Sequence, residues 1–294
     1  MRPSAAFVHY ELGTTLFSDY AENQRLVKVP AGSRIRVTSD GVTEFPEGTV
    51  LAKTFYYHND KRDPSKGKRI IETRVMVLSG GVWMAGTYLW NAEQTEATLA
   101  VRGSTATVQW IDAAGTGRSI NYVIPSNNDC ATCHNSNKTF SPIGFKARNL
   151  NIDVTRDGRR MNQLKYLQGK GLMDVPDPAV LSSLPDWQDS SYTLAQRARA
   201  YLDVNCAHCH NPNGYCAKAN IDLSYAGIDP GNTGSSPGNA GINPRNTAGG
   251  PDARTLAGIV DFMRKKRMPL LGTTIVHREG LALIESYVNS LHKK

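Results

Sequence analysis

A chain of 294 residues with a formal net charge of +8, 40% apolar and 20% charged residues is long enough for two or three packed domains. That balance excludes a disordered or fibrous protein, and no apolar run approaches the length of a membrane span. The basic excess favours acidic partners or surfaces; the cations are mostly dispersed and no recognition-helix signature is present, so nucleic acid is not a predicted partner.

The first seven residues lack the apolar core of a signal peptide. Residues 10–125 then read as β structure. A turn and an alternating run occupy 28–37, and a strand rich in β-branched and aromatic residues occupies 49–57. Residues 70–78 and 82–90, joined by Ser79, Gly80 and Gly81, predict a hairpin, and 105–111 with 119–124 predict a second one turning through Gly115 and Gly117. The pattern predicts an antiparallel sandwich or barrel. The charged run 59–69 reads as a solvated loop, and His58 as a half-buried strand residue. Pro125 to Asp129 close this region.

A CxxCH motif follows: Cys130, Cys133 and His134. Downstream, 161–168 predicts a helix ending at Gly169, with Leu164, Tyr166 and Leu167 on its apolar face. Met161 and Met173 are the local sulfur candidates for a further ligand, though a methionine is more often core filler.

From about 187 the chain reads as helical. Residues 192–202 predict a helix capped by Ser191 or Thr193, with Leu194, Ala198, Tyr201 and Leu202 on one face. This helix leads into a second CxxCH: Cys206, Cys209 and His210. The Gly-, Asn- and Pro-rich stretch 226–251 predicts a long surface loop. A short helix over 255–264 precedes Arg267, Met268 and Pro269, and a last helix over 278–291 carries Ile284, Tyr287, Val288 and Leu291. Cys216 is left over, His208 is predicted to be exposed, and His277 to turn the chain into the last helix.

Two thiols three residues apart can add to the two vinyl groups of one haem, and the adjacent histidine then ligates the iron. With five cysteines and seven histidines in the chain, one chance CxxCH arises about once in several hundred such sequences, so two are a strong signal. Zinc is the rival, but paired CxxC zinc sites keep ~15–20 residues between pairs, far fewer than separate Cys133 from Cys206, and zinc does not require the following histidine. Met268 is the preferred sixth ligand of the second iron. It lies in a loop stiffened by Pro269, whereas its competitor Met263 falls inside a predicted helix. The basic run Arg264 to Arg267 reads equally as a helix end and as a rim steering an acidic redox partner.

The C-terminal third, through its helix, Cys206-Ala-His-Cys-His210, Met268–Pro269 and terminal helix in that order, resembles class I c-type cytochromes. The whole chain resembles a secreted bacterial family with an N-terminal β domain and two CxxCH motifs. The matching stretches are 10–21, 53–57, 59–63, 147–151, 199–210 and 267–272. The resemblance implies haem and a place outside the cytoplasm, and Cys216 stands where no cysteine is expected. Its members begin further upstream with an export signal, so the expectation is that such a signal precedes this sequence.

The sequence thus predicts an α+β chain: a β-rich domain over 1–125, a first haem segment over 126–186 and a class I cytochrome c-like all-α domain over 187–294. The expected function is that of a periplasmic or extracellular di-haem c-type electron carrier with haem c attached at Cys130, Cys133, Cys206 and Cys209 and iron held by His134, His210 and Met268. The alternatives are an enzyme with an open first iron, performing peroxide or small-molecule chemistry, and a non-haem protein whose CxxC pairs hold zinc.

Overall fold

The computed structural model describes residues 3–38, 42–225 and 253–291. The chain is mixed α+β, with a large antiparallel sheet in its N-terminal part and helices towards its C-terminus. The predicted loop 226–251 lies outside the described residues. No helix among the described residues is long and apolar enough to cross a membrane.

In chain order the first strands are β1 (Val8–His9), β2 (Glu22–Lys28), β3 (Ile35–Val37), β4 (Thr43–Glu44), β5 (Val50–His58), β6 (Lys68–Ser79), β7 (Val82–Trp90), β8 (Ala97–Ala100), β9 (Ser104–Ile111) and β10 (Gly117–Ile124). Six of them form one antiparallel sheet in the order β1-β2-β5-β6-β7-β8. The β6–β7 hairpin forms where the Gly80-Gly81 pair predicts it. Both glycines have positive φ, at 62° and 75°, the backbone that a two-residue hairpin turn demands. The second hairpin, β9–β10, turns at Asp112, whose carboxylate accepts from the backbone of Ala114 and Thr116. Its Val108, Trp110, Ile120 and Tyr122 pack on Phe55, Tyr57 and Ile71 of the large sheet.

The middle of the chain supplies α1 (Asn127–Cys133), β11 (Asn135–Ser136), β12 (Thr139–Phe140), α2 (Ala147–Leu150), β13 (Asp153–Arg156), β14 (Arg159–Asn162), α3 (Gln163–Gly169) and β15 (Met173–Asp174). β15 runs parallel to β3, with Met173 opposite Ile35. Phe145, Leu150, Leu164, Leu167, Leu172 and Met173 share one core with Val27, Ile35, Leu51 and Met76. A fully buried leucine contributes roughly 1.5–3 kcal/mol, so this shared core ties 140–173 firmly to the sheet. The helix predicted from Met161 starts two residues later. Asn162 caps it by accepting from Leu164 and Lys165, and Met161 stays in β14.

Three longer helices complete the chain: α4 (Leu194–Asn205), α5 (Ala253–Arg264) and α6 (Arg278–Leu291). Thr193 caps α4 in a reciprocal box with Gln196. Tyr201, Leu202, Ala207, Leu256, Met263, Leu283, Ile284 and Tyr287 form their common core. At Gly280 a Cβ would collide with the Tyr201 ring, so glycine is what lets α6 cross α4 this closely.

Stretch 10–21 stitches the two parts together. Asn149 exchanges hydrogen bonds with the backbone of Thr14, and Asn205 accepts from the Phe17 amide at 2.8 Å. The Asp19 carboxylate accepts from the amides of Thr274 and Ile275 and from the Thr274 hydroxyl. His277 stacks flat on Phe17 at 4.0 Å. Three of the family-like stretches, 10–21, 147–151 and 199–210, therefore meet in one seam.

Candidate functional site

The two CxxCH motifs lie side by side. Ser126 and Asp129 cap α1 reciprocally, so Cys130 and Cys133 fall one turn apart at the end of a well-started helix. The second motif begins where α4 ends, with Cys206 at its C-cap. The two segments are joined by a backbone bond from Asn137 N–H to the Asn213 carbonyl, 2.8 Å. One ligand atom from each of Cys133, His208 and Cys209 lies within 4.8 Å of the other two. His208, predicted to be exposed, is half-buried in this cluster, and its Nδ1 is buried without a hydrogen-bond partner. A hydrogen bond from Cys209 and the nearness of His208 pull the Cys133 thiol down, while the same bond and burial push Cys209 up. Cys216 is partly buried, and its amide donates to the Cys209 carbonyl.

The first motif opens onto a cleft with about 1080 Å³ of empty space, open solvent included. Cys130 and His134 line it, together with Phe140, Pro142 and Phe145 from the segment that follows. The opposing residues come from the large sheet: Arg25, Lys53, Arg74, Met76 and Thr87. His134 Nδ1 lies 2.8 Å from the Ser141 carbonyl, which accepts from it. In the neutral imidazole that leaves Nε2 with the lone pair, the tautomer required of a metal ligand. Burial lowers the His134 pKa to about 4, so the ring is neutral at ordinary pH. Burial also raises the Cys130 thiol.

The second motif has different surroundings. Cys206 packs against the helical core, and burial pushes its thiol up to about 12. Burial, followed by nearby His208, lowers the His210 pKa; its Nδ1 is buried with no hydrogen-bond partner. Met268 is half-buried beside a cis peptide to Pro269, and its amide donates to the Phe262 carbonyl. Met263 is enclosed in the core. Of the basic run, Arg264 pairs with Glu285 and Lys265 with Asp261, so half of it serves the helix end.

Other expectations resolve locally. Asp60, in the run predicted to be a solvated loop, is buried beneath Arg62 and Lys66, whose hydrogen bonds hold its carboxyl well below the usual range. His58 ends β5 half-buried, 3.4 Å from Glu22. Met173 is fully buried in the shared core, and neither it nor Met161 lines the cleft; the cleft's thioether is Met76 of β6. Sequence reading missed Met76, Arg25, Lys53 and Arg74. One signal was present: strand alternation puts Lys53 on the same face as the apolar Leu51 and Phe55, where a lysine is costly. No family model, curated protein or solved structure matches this chain.

Proposed function

We propose that this chain is a di-haem c-type cytochrome that carries electrons outside the cytoplasm. The observation that carries the reading is the first motif. Its Cys130 and His134 line a cleft walled on the other side by the large sheet, and the Ser141 carbonyl holds His134 in the ligating tautomer. Cys130 and Cys133 would hold one haem c covalently with His134 on its iron. Cys206 and Cys209 would hold the other, with His210 and Met268 on its iron. Haem iron supplies reversible one-electron exchange, and methionine–histidine ligation raises its potential. The protein's part is to fix the imidazole, exclude water with Phe140 and Phe145, and surround the first group with sheet residues. Met76 is the thioether among the cleft's lining residues. The finer architecture belongs to the same proposal: a sandwich-like N-terminal region, supported by the hairpin packed on the sheet, and a class I cytochrome c-like region over 187–294, supported by the close α4–α6 crossing. An acidic redox protein is the partner suited to a chain of charge +8.

A pyridine haemochrome assay on protein matured behind an export signal tests this reading, with two covalent haems per chain expected. No haem overturns it. The second reading, a metal ion such as zinc, is favoured by the gathered Cys133, His208 and Cys209 atoms. Stoichiometric zinc and no haem bands in the isolated protein would establish it.

A further inference from the structure

Four neighbouring strands of the large sheet each contribute one residue to a single row across the cleft wall. Arg25 of β2 stands opposite Lys53 of β5, Lys53 opposite Arg74 of β6, and Arg74 opposite Thr87 of β7. All four line the cleft. Like charges directly opposite one another on a sheet repel, and cations this deeply placed are ordinarily paired. Arg74 is paired: its Nε donates to Glu72 at 2.9 Å, and Glu72 also accepts from the Tyr122 hydroxyl. Arg25, only 8% exposed, donates to the amide oxygen of Asn23. The Lys53 amine lies 4.4 Å over the Phe55 ring, and burial, then Arg25 and Arg74, hold its pKa well below the usual lysine range. Among the described residues no carboxylate comes within ion-pair distance of Arg25 or Lys53. The remaining charged groups of the lining do not change this balance, because Asp203 is taken by Lys146 and Arg148. The wall therefore gathers basic groups that the protein's own acids do not pair.

Neighbouring strands lie about 4.8 Å apart, so Arg25, Lys53 and Arg74 span roughly 10 Å, room for two carboxylates. Arginine's planar fork and the ammonium both suit that group. We infer that the Arg25–Lys53–Arg74 row is a carboxylate-binding site for a ligand lying in the cleft. The carboxylates have two sources: the propionates of a haem held at Cys130 and His134, in which case the inference rests on the proposed function, or a free dicarboxylate.

The test uses the full chain produced without haem maturation, titrated calorimetrically with haemin, with haemin dimethyl ester, whose carboxylates are blocked, and with succinate. Haemin is expected to bind at least about tenfold more tightly than its ester, the margin of one charge-assisted hydrogen bond. Arg25→Gln and Lys53→Met should each remove most of that margin. If succinate binds instead, is lost in both variants, and the porphyrins show no difference, the site serves free carboxylates; the inference stands while the haem reading is left to the haemochrome assay. Equal binding of haemin and its ester without succinate binding overturns it, as does no binding of any of the three. Thermal unfolding of ligand-free Lys53→Met supplies the second readout. Removing a buried basic group that has no acidic partner should leave its melting temperature unchanged or raised, and a clear fall would mean that the row serves the fold alone.

Discussion

The two CxxCH segments carry the same two thiols and one imidazole but differ in what surrounds them. The first caps a short helix against the sheet, has its imidazole tied to a backbone carbonyl and faces a cleft with a charged wall. The second follows a long helix, has Cys206 packed into a closed apolar core and leaves His210 Nδ1 without a partner. A motif specifies which atoms are offered. The fold decides their tautomer, their exposure and the charge they face. The first motif is thus a site completed by several distant strands, whereas the second follows α4 directly and meets the first through His208 and Cys209.

The largest expected effect comes from removing thiols pairwise. Cys130→Ser with Cys133→Ser should lose one covalent haem and keep the other, and Cys206→Ser with Cys209→Ser should do the same, read by haemochrome stoichiometry. Loss of both haems from either variant would mean that the adjacent motifs serve one site, and would erase the contrast drawn above.

Next comes the link between the two regions. Asp203 of α4 is buried, bonded to Arg148 at 2.8 Å and to the Tyr225 amide at 2.9 Å, with Lys146 nearby. Asp203→Ala should cost about 3 kcal/mol, the low end for removing one partner of a buried ion pair, because Arg148 and Lys146 retain some access to water. Urea unfolding measures it, and an unchanged midpoint would show that the regions are held by other contacts.

Gly280→Ala tests the helical region alone. The added methyl meets the Tyr201 ring, so a cost of roughly 2–3 kcal/mol is expected, and the same change should cost less when made in a Tyr201→Ala background. An undiminished cost in that background would place the strain elsewhere.

The smallest effect is acid-sensitive. Burial depresses the His277 pKa from 6.5 to about 4. The unfolded chain therefore takes up this proton at higher pH than the folded one. Stability contributed by the neutral ring is complete above pH 6.5, declines below it and is gone by pH 4, roughly 2–3 kcal/mol in all. His277→Gln should flatten that part of the stability-against-pH curve. An unaltered slope would assign the acid sensitivity to other groups.

Local chemistry makes much of the chain legible from its residues alone. The Gly80-Gly81 turn, the alternation of β5 to β7, the Thr193 cap and the apolar stripe of α6 depend on neighbours a few residues away, so their sequence carries the signal. The two CxxCH motifs are legible for the same reason, because their spacing is itself the chemistry. Start points are less so: Asn162 shifts α3 because a side-chain cap competes with the apolar periodicity. What only the tertiary structure decided is which distant residues meet. Nothing local says that Met173 would pair beside Ile35, that Asp19 would hold the turn before α6, or that His208 would sit between cysteines of both motifs. The same holds for the cleft, where Arg25, Lys53 and Arg74 become neighbours only through strand register. Pairing across a sheet joins positions with no short-range relation in the chain, and the charge of the wall exists only once that pairing is made.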